Sequence, residues 1–187
     1  VMIRKKDPVR GSPWSGGTAD FSTTGGKSII TVATLQSQLR SANVTVDSHG
    51  GTGGNGDISV NDAVIIPNAR SLTLKAAGDI NLNANVTTNS TGSLTSFNAY
   101  ANRNINVNGV TLGGTSGLSS VTLVSGLGAY GSTTQDVPTL SPTAAWLPSY
   151  AGVVNFGAGS TLATTRGLTV ITGCSVACPS FTADTAL

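Results

Sequence analysis

Apolar and polar positions alternate along much of this chain with a period of two. In Ile80-Asn81-Leu82-Asn83-Ala84-Asn85-Val86 the apolar residues share one face and the three asparagines take the other. Such alternation marks a strand with one buried face. The pattern then recurs. Gly56-Asp57-Ile58-Ser59-Val60-Asn61 is followed by Gly78-Asp79-Ile80-Asn81-Leu82-Asn83 and by Arg103-Asn104-Ile105-Asn106-Val107-Asn108, so the isoleucines stand 22 and then 25 residues apart. Each unit carries two more short segments. The first is Val64-Ile65-Ile66, Val86-Thr87-Thr88 and Val110-Thr111-Leu112; the second is Ser71-Leu72-Thr73-Leu74, Ser93-Leu94-Thr95-Ser96 and Ser120-Val121-Thr122-Leu123.

Three short strands every 22–25 residues, joined by Gly/Asn corners, predict an all-β fold: a parallel β-solenoid with one unit per rung. Stacking places Ile58, Ile80 and Ile105 in one interior column, and Val60, Leu82 and Val107 in a second. Outside, Asn61, Asn83 and Asn108 align, as do Ser59, Asn81 and Asn106. Rungs about 4.8 Å apart let matching side-chain amides hydrogen-bond along the stack as ladders. Thr73, Thr95 and Thr122 are predicted to form a threonine column, too narrow for the Thr-x-Thr lattice of an ice-binding face.

The flanks are less regular. Residues 1–27 read as an N-terminal segment or cap, with Trp14 and Phe21 large enough to plug an open core. The rungs span 28–126; near their start, strands at 29–32 and 43–46 flank a short helical turn over 34–41 that carries Leu35 and Leu39. Pro138, Pro142 and Pro148 mark 127–150 as a loop excursion. Final rungs are expected within 151–187, at 153–156, 161–164 and 168–171, followed by a cysteine-containing tail.

Composition narrows the class further. Charged residues make up only 10% and Glu is absent, whereas Thr, Ser, Gly and Asn abound; this suits pleated surfaces and not helices. A net charge of +2, with three of the ten basic residues at positions 4–6, argues against a nucleic-acid partner. No apolar run approaches the roughly 20 residues of a membrane-spanning helix, so membrane insertion is not expected. No signal peptide is recognisable at the start, which reads as a processed chain or a piece of a longer one. Cys174 and Cys178 read as a local disulfide, with free thiols the alternative; a disulfide fits an extracellular compartment. Metal binding by this pair would need two more soft ligands, and the single histidine, His49, lies far off in sequence. No metal or cofactor is expected.

Asp57 and Asp79 fall at the same corner of successive rungs, with Asn104 at or beside that position in the next. Carboxylates about 5 Å apart could serve a retaining glycosidase, and with backbone carbonyls they could hold calcium. The Gly-Asp-Ile context favours a third role, in which Asp bonds the local backbone at a turn. Asp47, His49 and Asp62 form no Ser–His–Asp set by spacing, and the Gly-rich stretch after His49 lacks the lysine of a phosphate-binding loop. Arg70, Lys75 and Arg103 could line a saccharide groove, although isolated surface cations are ordinary. Tyr130, Trp146 and Tyr150, on the excursion, are candidates for stacking on sugar rings or for covering the solenoid's flank.

Four linked segments resemble a known group. They are Pro13-Trp14-Ser15-Gly16-Gly17-Thr18-Ala19-Asp20-Phe21, Leu35-Gln36-Ser37-Gln38-Leu39 leading to Asn43-Val44-Thr45-Val46, Gly56-Asp57-Ile58-Ser59-Val60-Asn61, and Leu72-Thr73-Leu74-Lys75-Ala76-Ala77-Gly78-Asp79-Ile80-Asn81-Leu82-Asn83. Together they resemble filamentous haemagglutinin-type adhesins, bacterial exoproteins of the two-partner-secretion or autotransporter kind. The resemblance covers residues 7–126 well and 151–173 loosely. It implies a right-handed β-helix, a bacterial cell-surface or extracellular location, and no catalytic signature. The expected function is structural or adhesive and not enzymatic, with self-association into a filament or stacking on neighbouring passenger segments. The alternatives are a glycan- or protein-binding adhesin module of a larger exoprotein, and a β-helical polysaccharide lyase or hydrolase.

Overall fold

The computed structural model describes residues 1–5, 20–22, 28–49, 55–67, 69–89, 94–114, 117–127 and 152–172. The chain begins with strands β1 (Met2–Arg4), β2 (Asp20–Ser22) and β3 (Ile29–Thr31), helix α1 (Val32–Leu39) and β4 (Val44–Asp47). Four three-strand units follow. They are β5 (Ile58–Val60), β6 (Val64–Ile66) and β7 (Ser71–Ala76), then β8 (Ile80–Leu82), β9 (Val86–Thr88) and β10 (Ser96–Ala101). Next come β11 (Ile105–Val107), β12 (Thr111–Gly113) and β13 (Leu118–Val124), and last β14 (Val154–Phe156), β15 (Thr161–Leu162) and β16 (Thr164–Ile171).

Every strand pairing is parallel, and the strands assemble into three sheets. The first sheet runs β14-β11-β8-β5-β1-β3, the second β16-β13-β10-β7-β4-β2, and the third β15-β12-β9-β6. Each unit thus places one strand in each sheet, a solenoid-like arrangement. Alternation decides what faces inward: Ile58, Val60, Ile80, Leu82, Ile105 and Val107 are all fully buried. Ile58 pairs with Ile80 and Ile80 with Ile105, as the repeat spacing requires. The column continues to Val154, 49 residues beyond Ile105; the 24 residues of 127–150 account for the excess over a 25-residue unit.

Helix α1 stands where a third-sheet strand would lie and packs Leu35 and Leu39 into the core. Its entry is fixed by Thr31, whose Oγ1 accepts the Thr34 amide at 3.1 Å. The helix opens two residues before the turn expected from sequence, because Val32 continues from this cap and does not extend β3.

Two registers depart from expectation. On the second sheet the middle unit is Ser96-Phe97-Asn98-Ala99 and not Ser93-Leu94-Thr95-Ser96. Ser96 pairs with Ser71 and Ser120, and Asn98 stands between Thr73 and Thr122. The three extra residues of the 25-residue unit fall between β9 and β10; Leu94 is 64% exposed and Phe97 is fully buried. Thr95 is buried off the column, so the predicted threonine column does not exist. On the third sheet Val86 pairs with Leu112 and not Val110, a shift of two that keeps both residues inside. Strand β1 lies inside the first sheet between β3 and β5, with Ile3 fully buried. Trp14 lies outside the described residues, and so does nearly all of the excursion.

Candidate functional site

The corner leading into the first sheet gathers three of the ionic groups singled out from sequence, Asp57, Asp79 and Arg103. Register aligns Asp57, Asp79, Asn104 and Val153, each immediately before a paired β-strand residue. At each step a side-chain oxygen accepts the main-chain amide of the next unit. Asp57 Oδ1 accepts from Asp79 N at 2.8 Å, Asp79 Oδ1 from Asn104 N at 2.9 Å, and Asn104 Oδ1 from Val153 N at 3.2 Å. Asn104 Nδ2 also donates to Asp79 Oδ1, at 3.1 Å. The aspartates are backbone caps in a ladder, the structural role that the Gly-Asp-Ile context favoured.

Gly56, Gly78, Arg103 and Gly152 occupy the neighbouring position of the same corner. Arg103, the one side chain in that column, turns back across the two preceding units. Its Nη2 lies 2.7 Å from Asp57 Oδ1 and 3.3 Å from Asp79 Oδ2. A Cβ on Gly78 would collide with Asp57 Oδ1 and the Asn55 carbonyl, and would stand 2.9 Å from Arg103 Nη2. Glycine there is what lets the guanidinium reach both carboxylates. One cation therefore contacts both of the carboxylates that a calcium ion would need. Among the described residues, no group of three or more His, Cys, Asp or Glu side chains could hold a metal ion.

The other exterior columns are amide ladders. Asn83 Nδ2 donates to Asn61 Oδ1 at 2.8 Å and Asn108 Nδ2 to Asn83 Oδ1 at 2.6 Å. Beside them, Asn106 Nδ2 donates to Asn81 Oδ1 and Asn155 Nδ2 to Asn106 Oδ1, both at 2.9 Å. Asn155 extends a predicted column into the last unit, and its place in Val153-Val154-Asn155-Phe156 was the available sequence signal.

A second cluster lies at the exit of β4. Asp47 Oδ1 accepts from the His49 amide at 2.8 Å and contacts His49 Nδ1 at 2.6 Å. Burial pushes the Asp47 carboxyl up, but the His49 hydrogen bonds and the charges of His49 and Lys75 outweigh it, leaving Asp47 below the usual carboxylate range. His49 Nε2 is buried without a hydrogen-bond partner. Asp62 does not join this pair: its Oδ2 accepts the Lys5 amide at 2.6 Å. Arg70 does not converge with Arg103, since its Nη2 reaches back toward the Arg40 carbonyl. No saccharide groove is built from these cations among the described residues. Tyr130, Trp146, Tyr150, Cys174 and Cys178 lie outside the described residues.

Comparison with protein-family models, with curated proteins and with solved structures returned no match. The site's carboxylates are spent on capping amides and on Arg103, and its exterior amides are spent on one another. The ladders tie each unit to the next, and the corner ladder ends at Val153, whose side chain offers no acceptor. Among the described residues, the interior side of the last unit is only partly closed. Val154, Leu162, Leu168 and Val170 are half-buried, and Phe156, paired with Val107, is 47% exposed.

Proposed function

We propose that this chain is a secreted, non-catalytic, structural or adhesive segment: a right-handed β-helix continued end to end by neighbouring copies or passenger segments at a bacterial cell surface. The observation that carries this reading is the corner ladder. Asp57 and Asp79, the pair best placed for glycoside chemistry, are each occupied by a main-chain amide and share one guanidinium. A general acid needs a carboxyl free to hold and release a proton, and a nucleophile needs an unshared oxygen facing its substrate. What these oxygens do instead is fix the spacing of successive units.

The half-closed last unit supports end-to-end growth. A solenoid unit cannot enclose its apolar face alone, and strand edges at its ends accept further strands. The right-handed sense follows from the strong preference of parallel crossover connections. The resemblance to filamentous haemagglutinin-type adhesins supports the same location and role.

Sedimentation velocity over a wide concentration range, run beside a turnover assay on a pectin and glycan panel, tests the reading. The expected result is progressive growth into elongated species and no product. A single-chain species at every concentration would overturn end-to-end continuation by neighbouring copies. Polysaccharide turnover abolished by Asp79→Asn would overturn the non-catalytic one.

A further inference from the structure

The path of the chain skips one strand position. From β4 in the second sheet the chain crosses to β5 in the first and moves one position along the stack. The same step from β2 would set β3 directly beside β5. Instead β3 stays one position further out, and the gap holds β1. We propose that this gap is a strand-acceptor slot, and that it takes β1 of a second copy as well as the chain's own β1. This rests on the end-to-end reading above.

The slot makes specific demands, and β1 meets them with few residues. Ser59 N donates to the Val1 carbonyl at 2.8 Å and Asn61 N to the Ile3 carbonyl at 2.9 Å. On the other side Met2 N donates to Ser28 O at 2.9 Å. Met2 pairs with Ile29 and Ser59, and Ile3 with Ile30 and Val60, so one fully buried isoleucine fills the interior column. An extended segment needs only main-chain groups and one apolar side chain in the middle to satisfy these contacts, as in other cases of strand addition. Nothing in them requires that the strand come from the same molecule.

The tether permits exchange. Fifteen residues separate Arg4 from Asp20, and they reach at most about 50 Å when extended. Six strands of the first sheet span only about 24 Å along the stack. A β1 that leaves its own slot therefore reaches that of a copy stacked at either end. Each copy would offer one strand and one slot; passed on in one direction from copy to copy, and not traded back within a closed pair, the strand yields a filament.

Paired positions in adjacent strands provide the test, because their Cα spacing suits a disulfide. In a full-length Cys174→Ser, Cys178→Ser background, one chain carries Met2→Cys and another Ser59→Cys. The two are mixed, concentrated and mildly oxidised. The expected result is a mixed disulfide-linked dimer, several-fold more abundant than dimers of either chain alone. Its yield should rise with concentration and fall when the free peptide spanning residues 1–6 is added, but not when that peptide carries Ile3→Asp. The chain bearing both substitutions should close its own disulfide, which verifies the register and the fold. If it closes while mixtures give no mixed dimer, the exchange is overturned. Should growth in sedimentation persist in that case, only the exchange falls; a chain that never grows overturns the end-to-end reading separately.

Discussion

Replacing Asp79 separates a backbone cap from an ionised acid. In Asp79→Ala the Asn104 amide loses its acceptor at 2.9 Å, Asn104 Nδ2 loses one at 3.1 Å, and Arg103 loses a contact at 3.3 Å. An amide left unpaired in a half-buried corner costs about 1–3 kcal/mol. The Arg103 contact adds less, since its side chain is 51% exposed and such pairs are worth about 0–1 kcal/mol. The Asn104 side-chain amide can turn to water at small cost. Asp79→Ala should therefore destabilise the fold by about 2–3 kcal/mol. Asp79→Asn keeps an oxygen for the Asn104 amide and gives up only the charge, so its cost should stay under about 1 kcal/mol. Urea unfolding followed by circular dichroism, with the slope unchanged between variants, measures both differences. Equal losses in the two variants would refute the capping argument and assign the corner to charge. A loss below about 0.5 kcal/mol for Asp79→Ala would refute it as well, within the range of unremarkable surface changes.

Three further outcomes follow from the packing and the charges. Phe97→Ala empties a fully buried site and should cost about 3–5 kcal/mol, whereas Leu94→Ala, at a position 64% exposed, should stay within about 0.5 kcal/mol; the same urea titration decides which register is real. Gly78→Ala pushes a methyl against Asp57 Oδ1 and the Asn55 carbonyl and should lower the thermal midpoint, at a cost of about 1–3 kcal/mol. Gly167→Ala meets nothing within 4 Å and should leave that midpoint unchanged or raised. Because Asp47 titrates lower in the folded chain than in the unfolded one, its contribution is present above the ordinary carboxylate range and is lost as pH falls through the depressed folded value. Asp47→Asn should accordingly flatten the acid limb of stability against pH, and a limb of unchanged steepness would count against the His49–Asp47 pairing.

Much of this architecture is legible in the sequence because its two periodicities agree. Alternation fixes which side of each strand faces inward, and the 22- and 25-residue steps fix which strands are neighbours. The asparagine columns follow directly, since an in-register stack of identical amides has one obvious bonding pattern. The second-sheet register was obscured by mimicry: Ser93-Leu94-Thr95 repeats the order of Ser71-Leu72-Thr73. Phe97-Asn98-Ala99-Tyr100-Ala101 alternates equally well and buries a larger side chain, a signal that weighing the size of the buried residue would have caught. Arg103 could be aligned with Gly56 and Gly78, but where a long side chain comes to rest is settled by the two carboxylates beside Gly78, which has no side chain of its own. Strand β1 was illegible for a different reason. Met2-Ile3-Arg4 is too short to show a period, and its partners Ile29 to Thr31 and Ser59 to Val60 are remote in sequence.

Negative-stain electron microscopy of the purified chain across a concentration series tests the central claim most directly. An isolated stack of six strands is only about 24 Å long, no longer than a compact domain is wide, so any thread must be made of several copies. The expected result is unbranched threads of constant width that lengthen as concentration rises. Compact particles of single-chain size at every concentration would contradict it.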